Sequence, residues 1–180
     1  MFLYASLSLH KMPPEADWLI KEAVKDIAEN TFPTVGLGKV PYLTSEYELQ
    51  AQLFWRLSGK GFAVKVEYST NGKYVDIVLF ENGKGHCTLT ANGTPDRFFV
   101  EDFLALIELK LFWNQVSKDE VISALQKDKT KLLQLTAPKR YVIGFDYLGK
   151  LGKEDIRDLK GHDDVAVLYA DIKNSKLHFF

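Results

Sequence analysis

The run from Phe103 to Trp113 is apolar at every position except Glu108 and Lys110. Its length and composition predict a strand of a buried sheet. Because side chains two positions apart on a strand point to the same face, Glu108 and Lys110 stand side by side, while Ile107 and Leu109 face the other way. A carboxylate beside an amine on a buried sheet suggests hydrolytic chemistry.

The composition is that of a globular chain. Its 180 residues, 46% of them hydrophobic, can bury a full core and predict a single domain over residues 1–180. No apolar stretch approaches the ~20 residues that cross a bilayer, so we expect a soluble protein with no membrane partner. The apolar start, Met1–Leu9, lacks the basic residues and cleavage site of a signal peptide and is expected to belong to the fold. Cys87 is the only cysteine, which excludes a disulfide framework within the chain and favours a cytoplasmic location.

The net charge of −1 gives no overall attraction to nucleic acid, so such binding needs a local basic face. Basic residues concentrate around the region that follows the Glu108 strand. They are Lys118, Lys127, Lys129, Lys131, Lys139 and Arg140. The alternative interpretation is an ordinary solvated helix face.

Two helices are predicted in the first third of the chain. The first runs from Pro13 and Pro14 to about Glu29. The second begins at Thr44 or Ser45, carries an apolar stripe through Leu49, Leu53 and Leu57, and ends before two glycines. At ~100° per residue Glu46 lies on the apolar face of this helix.

Two strands, Phe62–Tyr68 and Tyr74–Phe80, are joined by Asn71-Gly72, which predicts a hairpin. Asp76 is the one charge of the second strand, where burying an unpaired carboxylate is costly. Residues 81 to 101 read as a turn-rich excursion with a short strand at His86–Thr90.

After the Glu108 strand, Ser117 and Glu120 form a capping box that opens a helix reaching Thr136 and Pro138. The remaining predicted elements are a strand at Arg140–Asp146, a helix at Lys153–Leu159, and strands at Val165–Tyr169 and Lys176–Phe180. The predicted fold class is therefore α/β, with a mixed central sheet flanked by helices.

The order helix, three strands, helix, strand over about residues 44–146 resembles the PD-(D/E)XK nuclease superfamily, which has the restriction-endonuclease-like fold. Asp76, within Tyr74-Val-Asp-Ile-Val78, matches the motif aspartate, and Glu108-Leu-Lys110 matches the Glu-x-Lys element. Glu46 matches the helix glutamate. Val75 stands where the motif has proline, and the connection from Asp76 to Glu108 is longer than a tight hairpin. The first helix and the last strands are additions to this αβββαβ core.

The resemblance implies a metal-dependent nuclease that hydrolyses phosphodiester bonds, with DNA rather than RNA as substrate. Asp76, Glu108, Lys110 and Glu46 would be catalytic, and Asp76, Glu108 and Glu46 would hold Mg²⁺, with Mn²⁺ as a substitute. The residue types support this independently, because carboxylates on neighbouring strands suit a hard divalent cation and a lysine can offset phosphate charge. Polar residues on the following helix are candidates for contacts to substrate phosphates. They are Gln126, Lys127 and Lys131, with Asp128 beside them.

Other interpretations stay open. One is a non-catalytic, nuclease-like binding or regulatory module; another is an unrelated α/β domain in which the charges pair structurally, with Glu108 touching Lys110 or another base. Asp76 could be explained by an edge position, and Glu46 by attraction to the helix dipole. The terminal additions could form a homodimer surface.

Overall fold

The structure is a computed structural model, which describes residues 14–30, 34–35, 38–39, 45–58, 60, 62–81, 84–100, 102–113 and 116–180. Its helices are α1 (Pro14–Asn30), α2 (Glu46–Ser58), α3 (Lys118–Leu133) and α4 (Lys153–Lys160). Its strands are β1 (Thr34–Val35), β2 (Gly38–Lys39), β3 (Ala63–Thr70), β4 (Lys73–Phe80), β5 (Gly85–Leu89), β6 (Pro95–Val100), β7 (Phe103–Phe112), β8 (Lys139–Asp146), β9 (Val165–Asp171) and β10 (Lys176–Phe179).

A mixed six-stranded sheet with the order β10-β9-β8-β7-β4-β3 forms the centre of the molecule. Strand β4 is antiparallel to both β3 and β7, and β10 is antiparallel to β9. The pairs β7–β8 and β8–β9 are parallel. Parallel neighbours need a crossover, and α3 and α4 supply one each. The predicted α/β class with a mixed central sheet flanked by helices is confirmed.

The sheet has an apolar cluster on each face. Helices α1 and α2 cover one face, where Ile77 and Ile107 are fully buried. Helices α3 and α4 cover the other face, over Leu106 and Val142. Because its central strands are buried on both sides, the sheet reads in sequence as nearly continuous apolar runs. Charged residues in those runs therefore stand out.

Local sequence signals predicted most element boundaries. Asn71 and Gly72 both have positive φ, 50° and 72°, as the predicted hairpin turn between β3 and β4 requires. Ser117 forms the predicted capping box with Glu120, although α3 ends at Leu133, before the predicted Thr136. Strand β6 was not predicted: it pairs with β5, but its proline and adjacent charged residues interrupt the strand pattern.

The segment Met1–Leu9 and Thr44 lie outside the described residues. In the part of the chain that is described, no helix is both long enough and apolar enough to span a bilayer.

Candidate metal centre

Strands β4 and β7 separate at Asp76, and the candidate site lies at this fork. The pairing of the two strands runs from Phe80 to Ile77, opposite Ile107, and stops there. Beyond that point β4 continues beside β3 and β7 continues beside β8. Asp76 Oδ2 accepts a hydrogen bond from the backbone N–H of Leu109 at 2.7 Å. At the fork, a side-chain oxygen therefore replaces the main-chain carbonyl that would accept this bond in a continuous sheet.

The backbone is irregular on the other side of Asp76 as well. Glu67 of β3 lies between the partners of Ile77 and Val75, and it has a φ of 50°. In a regular strand, residues 75 and 77 would point to the same face of the sheet. Here Ile77 packs on the α2 side and Val75 packs on the α3 side, so the strand reverses its side-chain alternation at Asp76. The buried amide of Gln50 donates to Glu67 Oε1 at 2.8 Å and ties this irregularity to α2. Positive φ in a non-glycine strand residue costs energy, which makes the region around Asp76 a strained one.

Glu108 is almost wholly buried, with 1% of its surface exposed. Its Oε2 forms an ion pair with Lys131 of α3, while Oε1 is buried without a hydrogen-bond partner among the described residues. Burial, followed by repulsion from Asp76, raises the pKa of Glu108 to about 8, against the opposing effect of Lys131. A buried carboxylate oxygen without a partner is costly, so this oxygen calls for a cation or a proton.

Asp76 is half-buried, and its pKa is raised by that burial. The Leu109 N–H and the charges of Lys110 and Lys131 work against the increase. Asp76 and Glu108 are therefore close enough to repel each other. The structure brings together the two carboxylates that sequence reasoning placed at the site.

Lys110 pairs with carboxylates of two different helices and makes no ion pair with Glu108. Its Nζ lies 3.2 Å from Glu46 Oε2 of α2 and 3.3 Å from Asp128 Oδ2 of α3. Burial alone would lower the pKa of Lys110, but Asp128 and Glu46 outweigh burial and the pKa is raised. Lys110 is thus a fixed cation at neutral pH.

Glu46 stands in the first turn of α2, where Ser45 and Glu48 exchange the hydrogen bonds of a capping box. Its side chain is 41% exposed and turns to Lys110. Among the described residues no three acidic, histidine or cysteine side chains gather closely enough to hold a metal ion. The roles of Glu46, Asp76 and Glu108 as metal ligands stay predictions, and Asp76 and Glu108 are the two whose carboxylates lie close enough to repel each other.

Asp128 has a larger part in the site than its sequence context indicated. It is 6% exposed, and its Oδ2 has only the ion pair with Lys110 in the described part of the chain. The sequence does hold a signal, since Asp128 occupies the same helix face as Val121, Leu125 and Leu132, all of them buried.

The three predicted phosphate contacts lie at different places on α3. Lys131 enters the fork. Lys127, one turn earlier, is exposed on the same side of the helix, whereas Gln126 lies roughly 140° around the axis from Lys131. Gln126 and Lys127 both line a shallow surface depression with Ser123 and Thr130.

The basic residues around α3 do not form one continuous substrate face, because several have structural partners. Lys129 is buried and donates to the carbonyls of Leu159 and Lys160 at 2.6 and 2.7 Å, at the end of α4. Lys118 pairs with Asp155, at a distance of 2.6 Å. Of the basic residues of α3, Lys127 and Lys131 remain beside the fork.

Neither a protein-family model nor a curated protein matches this chain. The arrangement of charges at the fork is therefore the basis on which its chemistry is inferred.

Proposed function

We propose that this chain is a metal-dependent nuclease of the PD-(D/E)XK type, which hydrolyses phosphodiester bonds in DNA rather than RNA. The observation that carries the proposal is the buried Oε1 of Glu108, which has no hydrogen-bond partner among the described residues and lies near the Asp76 carboxylate at the fork. A divalent cation would satisfy that oxygen and neutralise the repulsion between the two acids.

The order of elements supports a restriction-endonuclease-like core. Helix α2, strands β3, β4 and β7, helix α3 and strand β8 follow one another as the resemblance implies, with the β5–β6 hairpin inserted before β7. In space, β3, β4, β7 and β8 are adjacent in that order. Asp76 and Glu108 stand on the two middle strands of this set, where the strands part.

The residues at the fork fit Mg²⁺. This ion prefers oxygen ligands and is commonly held by one or two carboxylates, with waters and substrate phosphates completing its shell. Asp76 and Glu108 provide two carboxylates, and a nearby cation favours the ionised form of Glu108. Mn²⁺ has similar ligand preferences and is expected to substitute.

A cation bound there would lower the pKa of a water molecule and offset the charge that develops on the phosphate oxygens. The protein's own groups would add to this. Lys110, held by Glu46 and Asp128, would place a fixed positive charge beside the reacting phosphate. Burial of Glu108 reduces screening by water, which strengthens these interactions.

One observation favours another candidate, an unrelated α/β domain in which these charges pair structurally. Lys131 already pairs with Glu108, as expected if the charges serve only to fasten α3 to the sheet. Against this stands Glu108 Oε1, for which the described part of the chain supplies no hydrogen-bond partner. A purely structural pair would be expected to satisfy both oxygens.

The proposal is tested by incubating the protein with supercoiled plasmid and with single-stranded DNA and RNA, with Mg²⁺, Mn²⁺ or EDTA. We expect cleavage that needs the metal and is lost in Glu108→Gln and Lys110→Met. Glu154→Gln, which removes an exposed carboxylate of α4, is the matched control and should cleave normally. DNA binding without cleavage by the wild-type protein would support the binding module instead.

A further inference from the structure

We propose that Lys131 is the resident counter-ion of the fork: its ammonium takes the place of the divalent cation, leaves when the cation binds, and then contacts a substrate phosphate. This inference rests on the proposed function, because it assumes that Asp76 and Glu108 hold a metal ion. It assigns different roles to the two lysines of the site.

Lys110 is held by more ion pairs than Lys131 among the described residues. Lys110 has a carboxylate on each side, from Glu46 and from Asp128. Lys131 makes one ion pair with the described residues, to Glu108 Oε2. Displacing Lys110 would leave two carboxylates without their cation, whereas displacing Lys131 frees only Glu108 Oε2, which would then join Oε1 in facing the metal.

The ammonium of Lys131 acts on both candidate ligands. It pairs with Glu108 Oε2 and also attracts the Asp76 carboxylate, so its positive charge offsets the repulsion between the two acids. A cation that bridges two acids has the same electrostatic effect. Lys131 therefore substitutes for a metal ion in position and in sign, but with one charge instead of two.

The charges around the fork are not balanced by the lysines alone. The carboxylates are those of Asp76, Glu108, Glu46 and Asp128, and the ammonium groups are those of Lys110 and Lys131. When all of them are ionised, two negative charges remain in excess. A divalent cation in place of Lys131, with Lys110 still bound, would reduce that excess to one negative charge.

The Lys131 ammonium can move away from Glu108 toward solvent. Its side chain is 27% exposed, and the flexible lysine stem allows the ammonium to move outward without a change in α3. Lys127 lies one helical turn away on the same side and is exposed. A released Lys131 would form a basic pair with Lys127 at the mouth of the fork, where a phosphate could bind both.

The test is a calorimetric titration of the metal-free protein with Mn²⁺. Lys131→Met and Lys131→Gln should bind Mn²⁺ about tenfold more tightly than the wild type, because a competing cation is gone. Lys131→Arg, which keeps the charge, should stay near wild-type affinity. Lys127→Met removes a nearby charge that does not touch Glu108 and should change affinity less than about twofold.

A second measurement follows the fate of the released ammonium. With Ca²⁺ present, Lys131→Met should bind a fluorescent DNA duplex several-fold more weakly than the wild type, although it binds metal more tightly. Wild-type Mn²⁺ binding with unchanged or weaker affinity in both neutral variants would overturn the inference and leave the metal site standing. Absence of Mn²⁺ binding by the wild type and by all variants would overturn both the inference and the proposed metal site.

Discussion

Asp76 Oδ2 accepts the backbone N–H of Leu109 at 2.7 Å, at the point where β4 and β7 part. This bond fixes one carboxylate oxygen and leaves the other oxygen of Asp76 free of that role. It also replaces a main-chain partner that the separated strands cannot supply. Asp76 is thus both a structural acceptor and a candidate ligand, and the two roles can be separated by substitution.

Asp76→Asn should keep the hydrogen bond from Leu109, because the amide oxygen can accept it. We expect the free energy of unfolding to change by less than about 1 kcal/mol, while Mn²⁺ binding is lost. Asp76→Ala should lose metal binding and also about 1–3 kcal/mol of stability, because a main-chain donor is left unpaired. Urea denaturation of both variants measures this. Equal stability of the two would show that the bond to Leu109 is unimportant.

Stability of the metal-free protein should fall as pH rises, through Glu108. The folded pKa is about 8 against an ordinary value of 4.5, so in this interval the unfolded chain binds fewer protons than the folded one. The free energy of unfolding then decreases with pH, by at most about 1.4 kcal/mol per unit. Urea denaturation in EDTA, from about pH 5 to about pH 8, should show this slope in the wild type.

Glu108→Gln is the control for this pH dependence, since its amide is similar in size and does not titrate. The wild-type slope should exceed the slope of Glu108→Gln across the same interval, and excess Mg²⁺ should flatten the wild-type slope. Parallel slopes in the two metal-free proteins would contradict the assignment.

The two carboxylates that hold Lys110 should contribute unequally to stability. Asp128 is buried, so Asp128→Asn should cost about 2 kcal/mol by weakening an ion pair that water cannot replace. Glu46 is 41% exposed, so Glu46→Gln should cost less than about 1 kcal/mol. Chemical denaturation of the two variants compares them directly. A larger loss for Glu46→Gln would mean that Lys110 depends mainly on α2.

Replacing Glu67 by glycine should give a more stable protein than replacing it by alanine, which is the opposite of the order at an ordinary strand position. Its φ of 50° is strained for any residue with a Cβ atom. Both Glu67→Gly and Glu67→Ala remove the contact with Gln50, so their difference isolates the backbone. We expect the glycine variant to be more stable by about 1 kcal/mol in urea denaturation. A more stable alanine variant would show that the strand is regular beside Asp76.

Sequence reasoning predicted the parts of the site that depend on local pattern. Asp76, Glu108 and Lys110 interrupt apolar strands, and a charge in such a run is visible without any tertiary information. From α2 onward, the order of helices and strands other than β6 followed from periodicity and from turn residues. Strand β6 was not predicted because its composition is not typical of a strand. Its extended structure depends on pairing with β5.

The partners of the lysines could not be predicted, because they depend on how the helices sit on the sheet. Glu108 and Lys110 stand two positions apart on β7 as expected, but Lys110 pairs with Glu46, distant in sequence, and with Asp128. Glu108 pairs instead with Lys131, which depends on the rotation of α3 about its own axis. Which carboxylate a lysine can contact is set by the tertiary packing of the helices on the sheet.

The most direct test of the central claim is calorimetric titration of Mn²⁺ into the metal-free wild type, Asp76→Asn, Glu108→Gln and the surface control Glu154→Gln. If the fork is a metal centre, the wild type and Glu154→Gln bind Mn²⁺ with equal affinity, and the two fork variants bind it at least about tenfold more weakly. Wild-type protein that binds no Mn²⁺, or fork variants that bind it as tightly as the wild type, would contradict the claim.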